Sequence, residues 1–118
     1  MDRKDRLNHT LDIQRVRRYG KSIAHPLFVL IYLYDKHVDN APIGVIASKA
    51  VGGAVERNRA KRVLRSAAAA LHDSIKPDAM ILLLARQPIL EHDTPEITGI
   101  LAEQMKKAGL IISETAQE

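Results

Sequence analysis

Apolar positions along the chain fall into two kinds of stretch, short near-continuous runs and longer runs of helical period, separated by polar breaks. From Leu27 to Tyr34 the run LFVLIYLY is rich in branched and aromatic side chains. It follows Pro26 and is too short for a buried helix, so it predicts a central strand. Ile43 to Ser48 predicts a second strand, reached through the turn-forming Asp39, Asn40, Ala41 and Pro42, and the two suggest an antiparallel pair. Ala79 to Ala85, after the breaker Lys76, Pro77 and Asp78, reads as a buried strand, and Ser22 to His25 as a short extra one.

Three segments carry the helical period instead. The first has Thr10 as its expected N-cap, apolar Leu11, Ile13 and Val16, basic Arg15, Arg17 and Arg18, and a stop at Gly20. Val55 to about His72 contains no Gly or Pro and is rich in alanine. With Arg57 set at zero and steps of about 100°, Ala60, Val63, Leu64, Ala67 and Leu71 fall between about 240° and 340°. Arg57, Asn58, Lys61, Arg62 and Arg65 fall between 0° and about 140°. One face is made for packing and the opposite one is cationic. The last helix starts at Asp93, Thr94 and Pro95, runs through Ile97, Ile100, Leu101, Met105 and Ala108, and ends at Gly109. The order α, β, β, α, β, α, with the extra short strand, predicts one α+β sandwich of 118 residues whose polar first nine residues fray.

Charge sharpens this picture. Residues 1–65 carry 14 of the 18 Lys and Arg against 6 of the 14 acids, a net of +8, whereas residues 66–118 have a net of −4. Such segregation on a small basic domain is the electrostatic footprint of a polyanion partner. Within RNRAKRVLR, Arg57 to Arg65, five of nine residues are cationic, with Glu56 the one acid nearby. Like charges confined to one helix repel, and phosphates would relieve that repulsion. Arginine suits the task because its planar fork bonds a phosphate at two points, and Asn58 can both donate to and accept from a ribose or base edge.

Other chemistry finds little support. Absence of cysteine excludes disulfides and thiol catalysis and fits a reducing compartment. Gly52 and Gly53 precede the basic helix, yet neither GxxxxGK[ST] nor GxGxxG is present. His9, His25, His37, His72 and His92 share no ligand spacing, and no carboxylate pair or marked serine suggests a protein active site. No apolar run is long enough to span a bilayer, and no apolar signal segment follows the charged start, so the expectation is a cytoplasmic protein without a membrane partner.

The stretch from Gly44 to Arg65, GVIASKAVGGAVERNRAKRVLR, closely resembles the signature of the bacterial ribonuclease P protein component. Its hallmark is an RNR helix preceded by a VSKKVG-like strand end. Arg6 and Leu7, then Asp12, Ile13 and Val16, then Gly20, Lys21 and Ser22, then Leu27 to Leu33 match in order upstream. Leu84, Ala85, Arg86 and Pro88 look like the family's ending of strand four.

What the resemblance implies is a small subunit that joins a larger catalytic RNA to remove the 5′ leader of precursor tRNA. The Mg²⁺ chemistry is carried by the RNA, the protein alone is inactive, and no obligate protein partner is expected. The fold implied is a four-stranded sheet with three helices and a left-handed βαβ crossover. Arg57, Asn58, Arg59, Lys61, Arg62 and Arg65 would contact the catalytic RNA, with Lys49 close by. A cleft between the first helix and the sheet would hold the leader, on or near Ile13, Arg17, Phe28, Ile31 and Ser48. This chain has Ile13 where the family usually has Phe, Ala50 in place of a second Lys, and the small Ser66, Ala67 and Ala68 after Arg65. A general RNA-binding or ribosome-associated module is the alternative; it explains the basic helix but not the ordered match.

Overall fold

The computed structural model describes residues 5–7 and 9–112. Its elements run α1 (Thr10–Tyr19), β1 (Lys21–Ala24), β2 (Phe28–Tyr34), β3 (Ile43–Ile46), α2 (Ala54–Leu71), β4 (Ala79–Ala85) and α3 (Thr94–Ala108). Short 3₁₀ turns follow α2 at His72–Ser74 and β4 at Gln87–Glu91. Helix α1 begins at Thr10 with His9 as its cap, since Ile13 N already donates to His9 O at 3.0 Å, so Thr10 is not the cap. Of the nine N-terminal residues expected to fray, 1–4 and 8 lie outside the described residues. Arg6 forms a parallel bridge to Ile43, and Leu7 N donates to Ile43 O at 2.9 Å.

The four strands form one sheet in the order β1-β2-β4-β3. The expected antiparallel pairing of β2 with β3 is therefore corrected, because β4 lies between them. It runs antiparallel to β2 and parallel to β3, with Leu84 opposite both Val29 and Ile46. AMILLLA is the strand with least polar surface to offer solvent, and a central place covers it on both flanks and both faces. β3 is also shorter than expected, ending at Ile46, because Ser48 opens a turn in which Val51 N donates to Ser48 O at 3.0 Å.

Strand parity divides the core in two. Phe28, Leu30, Ile43, Ile81 and Leu83 face α2 and α3, and pack with Ala60, Leu64, Ala67, Ile97, Leu101 and Met105. On the opposite face, Ile31, Met80 and Leu82 pack with Val16 of α1 and with Leu7. Each fully buried large apolar side chain stabilises the fold by roughly 1.5–3 kcal/mol. Gly44 is the point where the N-terminal segment closes on the β3 edge, since a Cβ there would sit 2.6 Å from Leu7 O and 3.1 Å from a Leu82 methyl.

The hydrogen bonds also set the hand of the β3–α2–β4 unit. Phe28 directs its side chain to the α2 face, and its carbonyl accepts from His25 N at 2.9 Å, towards β1. For an L-residue in an extended strand, this places β4 to the left of β3 when both run upward and α2 is towards the viewer. The crossover is left-handed, against the strong preference for the right-handed form.

Candidate nucleic-acid interface

Helix α2 is launched by a turn that only glycine adopts easily, with Gly52 at φ +149°. Glu56 Oε1 then accepts from Gly53 N at 2.8 Å, and the Arg57 guanidinium donates to Gly52 O at 3.1 Å. Its acid is thus used at the helix start, where the helix dipole favours negative charge. Ala60, Leu64, Ala67 and Ala68 are buried against the sheet and α3, while Asn58, Arg59, Arg62 and Arg65 are exposed and Arg57 and Lys61 are half-buried. Among the described residues, no carboxylate lies within 4.0 Å of any of the five α2 cations or of Lys49. Lys49 stands exposed in the turn after β3, beside Ser48, whose hydroxyl accepts from Ala50 N at 3.3 Å. Six of the expected RNA-binding residues therefore share one helix, and the seventh stands at the end of β3 in the turn leading to it.

The expected leader cleft is only partly as drawn. Ile13 is half-buried against the cluster around Val16, and Arg17 is exposed on the same helix. Ile31 lies on the sheet face that carries α1 but is closed over by that helix, with 6% of its surface exposed. Phe28 does not belong to this face. It is fully buried on the α2 side, with the His25 ring stacked 5.1 Å away, because residues one apart in a strand point to opposite faces.

What the open part of that face does present is a row across the sheet, Ala24, Val29, Leu84 and Ile46, each opposite the next. Ala24 is exposed and the other three are half-buried. None of the four is among the expected leader contacts, although the alternation in β2 marks Val29 as facing away from Phe28. The α1 wall beside this row is pinned by Arg15, whose guanidinium is paired with Asp35 at the end of β2. His37 N donates to Asp35 Oδ1 at 2.9 Å, and this bond together with Arg15 holds the Asp35 carboxyl below the ordinary carboxylate range.

Fold and surface together define an α+β sandwich domain with a basic helix face on one side of the sheet and a narrow apolar row on the other. A family model described as Ribonuclease P matches residues 1–109. The ribonuclease P protein component of Listeria welshimeri is 36% identical over 106 residues, which cover 90% of this chain and 89% of that one. That of Shouchella clausii is 33% identical over 111 residues, 94% and 91% of the two chains. Among solved structures, the Staphylococcus aureus RNase P protein superposes with a TM-score of 0.80 at 31% identity, covering 91% of this chain and 97% of that one. The Thermotoga maritima RNase P protein shares the fold, with a TM-score of 0.75 at 23% identity over 86% and 96% of the chains. The chain belongs to the ribonuclease P protein family: it is a tRNA-processing ribonucleoprotein component that associates with the ribonuclease P RNA. Among the described residues, no helix is long and apolar enough to cross a membrane.

Proposed function

We propose that this chain is the cytoplasmic protein subunit of an endoribonuclease holoenzyme in which the RNA carries catalysis and the protein secures the RNA and the 5′ leader of precursor tRNA. The observation that carries the reading is the α2 face, where Arg57, Arg59, Lys61, Arg62 and Arg65 stand without a carboxylate partner among the described residues. Cations held together in this way gain most from a phosphate backbone, which releases condensed counterions as it binds. Asn58 and Lys49 extend this contact to the catalytic RNA. On the opposite sheet face, the row Ala24, Val29, Leu84 and Ile46, walled by Ile13 and Arg17 and ending near Ser48, receives the single-stranded leader. Apolar floor and cationic wall suit a chain of bases joined by phosphates.

The Mg²⁺ required for cleavage belongs to the RNA in this reading. Among the described residues no three His, Cys, Asp or Glu side chains come together as a metal site, so the described donors offer no cage for a resident ion. The protein acts by binding and orienting, and needs no second protein to do so.

The test is to mix the purified chain with ribonuclease P RNA and a precursor tRNA at low Mg²⁺. Leader removal should depend on the RNA and rise sharply with the protein, and the protein alone should cleave nothing. RNA-independent cleavage that survives rigorous repurification would overturn the assignment of catalysis to RNA.

A further inference from the structure

Helix α2 does not end its basic face at Arg65. Arg62 and Arg65 share a groove of about 310 Å³ with Arg6, Ser66 and Ala69. Arg6 and Arg65 also line a second hollow of about 220 Å³ that reaches Ile13 and the β3 edge at Gly44 and Val45. Three guanidinium-bearing side chains thus converge from two segments 56 residues apart in the chain. All three are exposed, and none has a carboxylate within 4.0 Å among the described residues.

The neighbouring acid does not neutralise Arg6. Asp5 is buried at 8% exposure, where its Oδ1 accepts from Asn40 Nδ2 at 3.2 Å and lies 4.0 Å from His72 Nε2. His72 Nε2 in turn donates to Asn40 O at 2.8 Å. The parallel bridge to Ile43 and the Leu7–Ile43 backbone bond hold Arg6 on the β3 edge. Holding like charges together in this way is unfavourable unless an anion lies between them. Ser66 and Ala69 are small, which leaves the groove open at its α2 wall.

We propose that Arg6, Arg62 and Arg65 form a phosphate-binding subsite for the backbone of the ribonuclease P RNA, extending its contact from α2 onto the β3 edge. This rests on the reading of α2 given above, and deepens it by adding a residue outside the helix. Two of the three arginines belong to the face assigned to that RNA, which favours it over the leader as the occupant.

The experiment measures affinity for the ribonuclease P RNA across a salt series for the wild-type chain, Arg6→Ala, Ala69→Glu, Arg62→Ala and, as an exposed cation elsewhere, Lys106→Ala. Arg6→Ala should weaken binding by about three- to tenfold and reduce the logarithmic salt slope by about 0.7 to 0.9, the effect of one lost phosphate contact. Ala69→Glu, at an exposed helix position that tolerates Glu, places a carboxylate in the groove and should weaken binding at an unchanged melting temperature. It decides the matter should Arg6→Ala also loosen the fold. Lys106→Ala should bind as wild type. If Arg6→Ala and Ala69→Glu bind as wild type while Arg62→Ala is weakened, the subsite is refuted and the α2 reading stands. If Arg62→Ala is unaffected as well, the α2 reading fails. If Arg6→Ala spares RNA affinity but lowers the precursor-to-mature tRNA ratio in the holoenzyme, the groove serves the leader and the proposal is overturned.

Discussion

Ile13 and Arg17 lie one turn apart on α1 and meet different surroundings. Ile13 is half-buried against the Val16 cluster, whereas Arg17 is free to reach phosphates or to stack its guanidinium plane on a base. Isoleucine offers apolar contact without a stacking face, and a Phe there would add stacking worth about 1–3 kcal/mol per base. In the holoenzyme, Ile13→Phe should tighten precursor tRNA relative to mature tRNA, and Arg17→Ala should weaken it with little change in affinity for the ribonuclease P RNA. Titrations with leaders of increasing length check both. A lowered melting temperature for Ile13→Phe, with the precursor-to-mature ratio unchanged at every length, would assign Ile13 to the core alone. At this scale the sequence is informative about chemistry and poor about access. The family resemblance implies both Phe28 and Ile31 beside the leader, but successive strand residues face opposite ways, so Phe28 turns to the α2 side, and α1 closes over Ile31.

At the scale of the element, α2 was the most legible part of the chain. Its wheel separates Ala60, Leu64 and Ala67 from Arg57, Arg62 and Arg65 because a single helical period fixes both faces at once, and the sheet then takes the apolar one. Replacing Arg57 and Arg62 together by Ala should weaken the RNA complex and reduce the logarithmic salt slope by about 1.4 to 1.8, two phosphate contacts. Arg62 is exposed, but Arg57 also donates to Gly52 O at the helix start, so the melting temperature should fall slightly, by the worth of one hydrogen bond, about 0.5–1.5 kcal/mol; an unchanged slope would put the RNA interface on another surface. The strands were legible as segments and not as partners. Antiparallel β2–β3 pairing is the local solution, since neighbours in sequence commonly pair. β4 displaces it because its seven residues without a polar side chain would lose more at an edge than the four of β3.

For the whole molecule, the N-terminal segment, the β3 edge and α2 must close on one another, and Gly44 is where they do so. Gly44→Ala would drive a Cβ into the Leu7 carbonyl, a backbone atom that cannot yield by rotating a side chain. The expected cost is about 1–3 kcal/mol of stability. Hydrogen exchange at the Leu7 amide should rise, and RNA affinity should fall towards that of Arg6→Ala. A variant that keeps full Leu7 protection and full affinity would show that the edge accommodates the methyl group. By itself the sequence determined the strand-forming and helix-forming segments, the amphipathic split of α2, the excess of positive charge in the first 65 residues and the family signature from Gly44 to Arg65. These are local quantities, set by period, propensity and composition within one stretch of chain. Strand order, the left-handed crossover, the burial of Phe28, the row from Ala24 to Ile46 and the meeting of Arg6 with Arg62 and Arg65 were decided only in the tertiary structure. Each depends on which apolar face finds which partner across tens of residues, and that competition is settled by the packing of the whole core.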